Sequence, residues 1–322
     1  MLHPRFSTTL VGHHKPFQRL YDLYQQGVLA PCWVVNGQRG IGKATFAYQF
    51  VQKILVTSCP NPSGLSETVV SQQVKVGSYP NLCVAEKPMT EGQEGAEIPL
   101  SEAKKILNFL AQSPAIPGWR AVIIDAADEL NRSAANCLLK IIEEPPPQTL
   151  ILLISHSWGQ VLPTLRSRCQ RLDLYPLTGT DMAEFYGPQH FRDENLFKAS
   201  QGSLRYYQDL IKAGGQEFLS SLQAMINLAR LGQWVQVQKF CQDISKLPER
   251  FECVLWLMPY LVYQQALQGQ THEQKHWLSV WQSLTKFLQA AKDSHLDKNQ
   301  VLLSCFLLIE NPSEHATTFA KL

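Results

Sequence analysis

The sequence predicts an α/β module with a parallel sheet, followed by an all-helical C-terminal third. Three observations carry this reading. Short apolar, β-branched runs alternate with helical periodicity through the first half. A glycine-rich turn separates the first such run from the first strongly periodic helix. Beyond about Pro176 the strand signals fade and helical spacing continues towards the end. At 322 residues the chain has the length of two or three domains of roughly 100–200 residues each.

Four runs read as buried strands: Cys32–Asn36, Asn81–Ala85, Ala121–Asp125 and Thr149–Ser155. A shorter fifth is Gln170–Leu174. Helical periodicity follows the first strand from Gly42 to about Val56, with Phe46, Phe50, Ile54 and Leu55 on one face. Between Thr57 and Tyr79 the chain turns polar and rich in Pro, Gly and Ser, which reads as an insertion or long connection instead of core. Ser101 is placed to cap a helix running to about Gln112, where Pro114 and Pro117 stop it. Asn131 is placed to cap a second, Arg132–Glu144, with Ala134, Cys137, Leu138, Ile141 and Ile142 on its apolar face and three prolines at its end. A small segment reaches Lys212, and amphipathic stretches follow near 216–230, 233–243, 249–268, 273–292 and 297–309.

Composition narrows the function classes. With 45% hydrophobic and 17% charged residues the chain is of the globular type, not disordered or fibrous. A net charge of +2 is too small for a surface built throughout to hold nucleic acid or anionic lipid. The start, MLHPRFSTTLVGHHKP, lacks the apolar core of an export signal. The longest apolar run, Cys253–Tyr263, is well short of the roughly 20 residues needed to cross a bilayer. A cytosolic chain without membrane contact is expected. The eight cysteines are scattered among apolar neighbours with no CxxC pair, so reduced core thiols are expected, without a zinc site.

The turn in WVVNGQRGIGKAT follows a strand and opens a helix, the context a phosphate-binding loop requires. Gly37, Gly40 and Gly42 would let backbone amides approach phosphates, and Lys43 would reach the terminal ones. The next position should carry a hydroxyl for Mg²⁺ and holds Ala44 instead. Thr45 is no simple replacement, because one helical step turns it about 100° around the axis. The acid at the end of the third strand, Asp125, is followed by Ala126 where an ATPase would carry a glutamate to orient water. Asp128 and Glu129 come later, in a turn where a surface or capping role is expected. Two lesions in one hydrolytic apparatus predict a module that does not turn over ATP; weak, vestigial ATP or ADP binding remains open.

Ser167-Arg168-Cys169 lies just before the last strand. At a sheet edge Arg168 could point outwards to a nucleotide on a neighbouring subunit, as an arginine finger worth roughly 10³–10⁵ in rate. Equally it could be an exposed arginine in a local salt bridge worth at most about 1 kcal/mol. Cys169 reads as a small buried apolar residue. Arg205, in QGSLRYY, opens a helix and is either a lid arginine that senses nucleotide or a solvated one. His13, His14 and His156 have no nucleophile at a recognisable spacing and read as structural or solvated. The aromatics Phe240, Phe251, Trp256, Tyr260 and Tyr263, without interleaved basic residues, read as helix contacts and not as a base-stacking platform.

Taken together, LVGHHKPF, NGQRGIGKAT, GWRAVIIDAADELNRSAANCLLKIIEEPPPQTLILLISHS, LPTLRSRCQRLDL and QGSLR resemble the delta-prime family of bacterial DNA polymerase III clamp-loader subunits, within the AAA+ superfamily. The resemblance spans roughly residues 10–205, and the helical third agrees in size and class alone. It implies an AAA+ module over 1–175, a small helical lid over 176–212 and a helical collar for oligomerisation over 213–322. It implies a rigid subunit with no catalysis of its own, within a DNA polymerase holoenzyme, that offers Arg168 in trans to ATP in a gamma/tau neighbour. Its partners would be gamma/tau and delta through collar and AAA+ faces, with sliding clamp and primer-template DNA met by the assembled ring. Many relatives carry a four-cysteine zinc module after the first helix; here only Cys59 and Cys83 occur in that region, so no zinc is expected. The alternatives are a hydrolysing gamma/tau-like motor and, more distantly, a stand-alone phosphoryl-transfer enzyme.

Overall fold

The computed structural model describes residues 3–7, 9–58, 67–90, 93–94, 97–187, 191, 193–291 and 296–310. The chain forms two compact units, residues 1–191 and 192–322.

The first unit is built on five parallel strands: β1 (Cys32–Asn36), β2 (Leu82–Glu86), β3 (Arg120–Asp125), β4 (Thr149–Ser155) and β5 (Gln170–Asp173), in the order β2-β3-β4-β1-β5. Residues of β1, β3 and β4 are buried on both faces, which is why these strands read as continuous apolar runs without alternation. One face, with Trp33, Val35, Ile123 and Leu152, packs on helices α1 (His14–Gln25), α2 (Lys43–Ser58) and α3 (Glu67–Val76). The other, with Val34, Val122, Ile124 and Leu153, packs on α4 (Leu100–Ala111), α5 (Arg132–Glu143) and the short α6 (Pro163–Arg166). The result is a three-layer α/β sandwich. Helix α7 (Gly179–Tyr186) closes this unit and opens on a capping box between Thr178 and Asp181.

The second unit contains α8 (Glu194–Ser200), α9 (Leu204–Ala213), α10 (Gly215–Arg230), α11 (Trp234–Ser245), α12 (Pro248–Gln268), α13 (Thr271–Ala291) and α14 (Lys298–Glu310). Its interior includes Leu222, Cys253, Leu257, Trp277, Leu284, Leu302 and Phe306. The aromatics serve packing, as expected: Trp256 stacks on Tyr206 at 4.1 Å, and Phe240 meets Phe306 edge-on. No helix among the described residues is long and apolar enough to cross a membrane.

Two sequence expectations need correction, and one helix was not predicted. The polar stretch 57–79 contains α3, whose Val70 and Val74 are 1% exposed and belong to the core. Two apolar residues four apart make one short helical stripe, which the polar composition around them hides. Residues 59–66 of that stretch, Cys59 among them, lie outside the described residues. Ser101 is not a cap: α4 starts one residue earlier, after Pro99, whose fixed φ and extended ψ make the break. Helix α1 went unread because its polar, Tyr-rich sequence buries only Leu20 fully. In contrast Asn131 does cap α5, its Oδ1 accepting from the Ala134 N–H at 2.7 Å.

Candidate functional site

The carboxyl ends of β1 and β3 bring together the loop Gly37–Gly42, Lys43 and Asp125. Gly37 is required by close approach, since a Cβ there would lie 2.4 Å from the Leu174 carbonyl oxygen and 2.8 Å from Ile41 Cδ1. Gly42, with φ +101°, adopts a backbone that L side chains rarely take, just before α2 begins. Lys43 is the first residue of α2 and only 3% exposed. Its ammonium donates to the carbonyls of Gly37 and Gln38, at 2.7 Å each.

Burial dominates the electrostatics. It pulls Lys43 down to about 8, against the opposing fields of Asp125 and Asp128. It pushes Asp125 up to about 6, where Lys43 works the other way and Glu129 and Glu86 add to the rise. Each group is thus the other's main compensation in a dry site.

Asp128 and Glu129 are committed elsewhere. Both carboxylate oxygens of Asp128 accept from the His156 backbone N–H, at 3.2 and 3.1 Å, tying the turn after β3 to the end of β4. Glu129 pairs with Lys87 at 3.0 Å. Ala44 and Ala126, next to Lys43 and Asp125, add no polar side chain to the site. Thr45 lies one residue further along α2.

One contributor went unassigned in the sequence. His13, 3% exposed, places Nε2 2.8 Å from the carbonyl oxygen of Ile41 and so braces the glycine loop from the segment before α1. Burial lowers its pKa below the usual histidine value. The partners are 28 residues apart, and no spacing rule links them. Its structural role agrees with the sequence reading, though its partner is the loop itself.

Arg168 stands away from this loop, just before β5. Parallel register pairs Trp33 with Gln170 and Asn36 with Asp173, so Arg168 lies beyond the amino end of β1 while Gly37 follows its carboxyl end. Six residues of extended strand separate the two levels, roughly 20 Å. The Arg168 Nε donates to Glu143 Oε1 at 2.5 Å, Nη2 contacts the same oxygen, and Nη1 donates to Thr164 O at 2.9 Å and Ser167 Oγ at 3.1 Å. Cys169 is half-buried against the α4–α6 face of the sheet. Arg205 belongs to the second unit, in the first turn of α9, 3.8 Å from Asp209.

The family model described as "DNA polymerase III, delta subunit" matches residues 12–178, just over half of the chain and nearly the whole α/β unit. The chain belongs to this delta-subunit family. Among curated relatives of the family, the DNA polymerase III subunit delta' of Pseudomonas aeruginosa is 32% identical over 142 residues, 44% of this chain and 42% of that protein. The subunit gamma of Buchnera aphidicola from Schizaphis graminum is 22% identical over 231 residues, 70% of this chain and 60% of that one. These matches span less than two thirds of either relative. A crystal structure of a gamma subunit-related protein from Thermotoga maritima aligns with a TM-score of 0.48 at 14% identity, covering 91% of this chain and 99% of the other.

Proposed function

We propose that this delta-family chain is a non-hydrolysing, delta-prime-type subunit of a clamp loader of the DNA polymerase III holoenzyme. It offers Arg168 in trans to ATP held by a gamma/tau neighbour, so that the assembled ring loads a sliding clamp onto primer-template DNA. The observation that carries this reading is the roughly 20 Å between Arg168 and the chain's own glycine loop, along a parallel sheet that fixes both. An arginine so placed has no access to a nucleotide on its own subunit. A neighbour's nucleotide meets no such obstacle.

The loop supports the other half of the reading. Lys43 is bonded to its own loop carbonyls, and Ala44 and Ala126 stand where metal and water need polar groups. The hydrolysing gamma/tau-like alternative would need Thr45 with Asp128 or Glu129, and both acids are already engaged. Within the proposal, residues 176–212 are the lid and carry Arg205 as its nucleotide-sensing arginine, and 213–322 form the collar that meets gamma/tau and delta.

The purified chain should bind ATP weakly or not at all by titration calorimetry with and without Mg²⁺, and should show no motor-like ATPase. Arg168→Ala should leave folding and assembly intact while lowering the DNA-stimulated ATPase of a ring reconstituted with gamma/tau and delta. Robust metal-dependent turnover by the chain alone would overturn the non-hydrolysing assignment. An unchanged ring ATPase with Arg168→Ala would overturn the finger.

A further inference from the structure

The ion pair between Glu143 and Arg168 points to a further positioning residue. We infer that Glu143 fixes the Arg168 guanidinium in the orientation in which it meets a neighbour's nucleotide; the inference rests on the finger reading above. An arginine on a surface loop samples many rotamers, and a group that must meet a phosphate gains from being held beforehand. Here one carboxylate oxygen takes Nε and Nη2, while Thr164 O and Ser167 Oγ take Nη1. One Nη2 N–H is left for a ligand, and the side chain remains 34% exposed.

Glu143 is itself well founded. It is the last residue of α5, a helix capped at its start by Asn131 and followed by Pro145, Pro146 and Pro147. Its neighbour Ile142 is 3% exposed, and the Ile142 carbonyl accepts from Cys32 Sγ on β1 at 3.6 Å. The carboxylate therefore sits on a helix end tied to the sheet, and it passes that rigidity to a long side chain lying between α6 and β5.

The opposite role is a latch that stows Arg168 and must open on assembly. The two differ in sign. If Glu143 positions the finger, Glu143→Ala lowers activity; if it stows the finger, the same change raises it.

The test uses the ring reconstituted with gamma/tau, delta, clamp and primed DNA, with wild type, Glu143→Ala, Glu143→Gln, Arg168→Ala and the Glu143→Ala/Arg168→Ala double variant. Glu143→Ala should lower kcat of the DNA-stimulated ATPase by between about tenfold and a hundredfold, with KM for ATP unchanged. Glu143→Gln, whose amide oxygen still accepts from Nε, should recover much of it. The double variant should be no slower than Arg168→Ala, and the melting temperature of the Glu143→Ala chain should stay near that of wild type. Wild-type or faster turnover with Glu143→Ala, beside a slow Arg168→Ala ring, would overturn the positioning role and leave the finger standing. Wild-type turnover with Arg168→Ala would remove the finger and this inference together.

Discussion

The Lys43 ammonium and the Gly37 carbonyl oxygen are 2.7 Å apart, so the cation of the glycine loop is bonded to the loop that presents it. The lysine is also nearly dry, at 3% exposure. Holding a proton there is costly, and the cost has a signature in pH. Because the folded state binds that proton less tightly than the unfolded chain, the contribution of Lys43 is fully present above about pH 10.5 and is lost as pH falls through about 8. Wild type should therefore gain on the order of 2 kcal/mol relative to Lys43→Met between pH 8 and 10.5. Urea unfolding of the two proteins across that range measures it; a constant gap would rule the effect out.

Asp125 gives the mirror case. Its folded value, raised to about 6, means that its contribution is complete below about pH 4 and is lost as pH rises through 6. Asp125→Asn should then stabilise the chain at pH 7 by on the order of 2 kcal/mol, and the advantage should vanish near pH 4. Chemical denaturation at both values decides. A destabilised variant at neutral pH would mean that the carboxylate is compensated better than burial suggests.

His13 should matter to the loop through its bond to Ile41. Removing a buried partner and leaving a carbonyl unsatisfied costs roughly 1–3 kcal/mol, and His13→Ala is expected in that range at pH 7.5. With its pKa lowered by burial, His13 contributes above the ordinary histidine value and loses that contribution as pH falls below it. The gap between wild type and variant should accordingly narrow by pH 5.5. Thermal unfolding at the two pH values suffices, and a widening gap would contradict the assignment.

Two glycine replacements should separate cleanly. Gly37→Ala puts a methyl group 2.4 Å from a strand carbonyl that cannot move aside, and should cost about 3 kcal/mol or more. Gly159→Ala meets nothing within 4 Å and should be close to neutral. Parallel melting curves of both variants check the contrast.

The helix hidden in the polar 57–79 stretch can be tested through Val70 and Val74. Each is 1% exposed against the first core, so Val70→Ala and Val74→Ala should each destabilise by about 2 kcal/mol. Effects under half a kcal/mol would return the stretch to the status of a surface connection.

Much of this was legible because it rests on local rules. Strands buried on both faces announce themselves as apolar runs, as Ala121–Asp125 and Thr149–Ser155 do. The α5 cap and its three prolines mark both ends of that helix. The glycines and Lys43 were legible from spacing alone, because the strand-turn-helix context is itself a sequence pattern. What escaped reading depends on distance along the chain. His13 finds Ile41 28 residues away, and Glu143 finds Arg168 across 25. Helix α3 escaped for a different reason: two valines carry its whole buried face. Ser101 misled because a good capping residue stood two positions too late, after Pro99 had already fixed the start.

The parallel sheet has one more consequence. With Arg168 at the amino ends of its strands and the glycine loop at the carboxyl ends, the α/β unit has a head and a tail. Units that each offer a group from one end to a site at the opposite end of the next associate head to tail. Under the proposed function this chain gives without receiving. On that reading it is a terminus: placed at one end of an open arc it would waste no site, whereas in the middle it would leave a silent gap in the series.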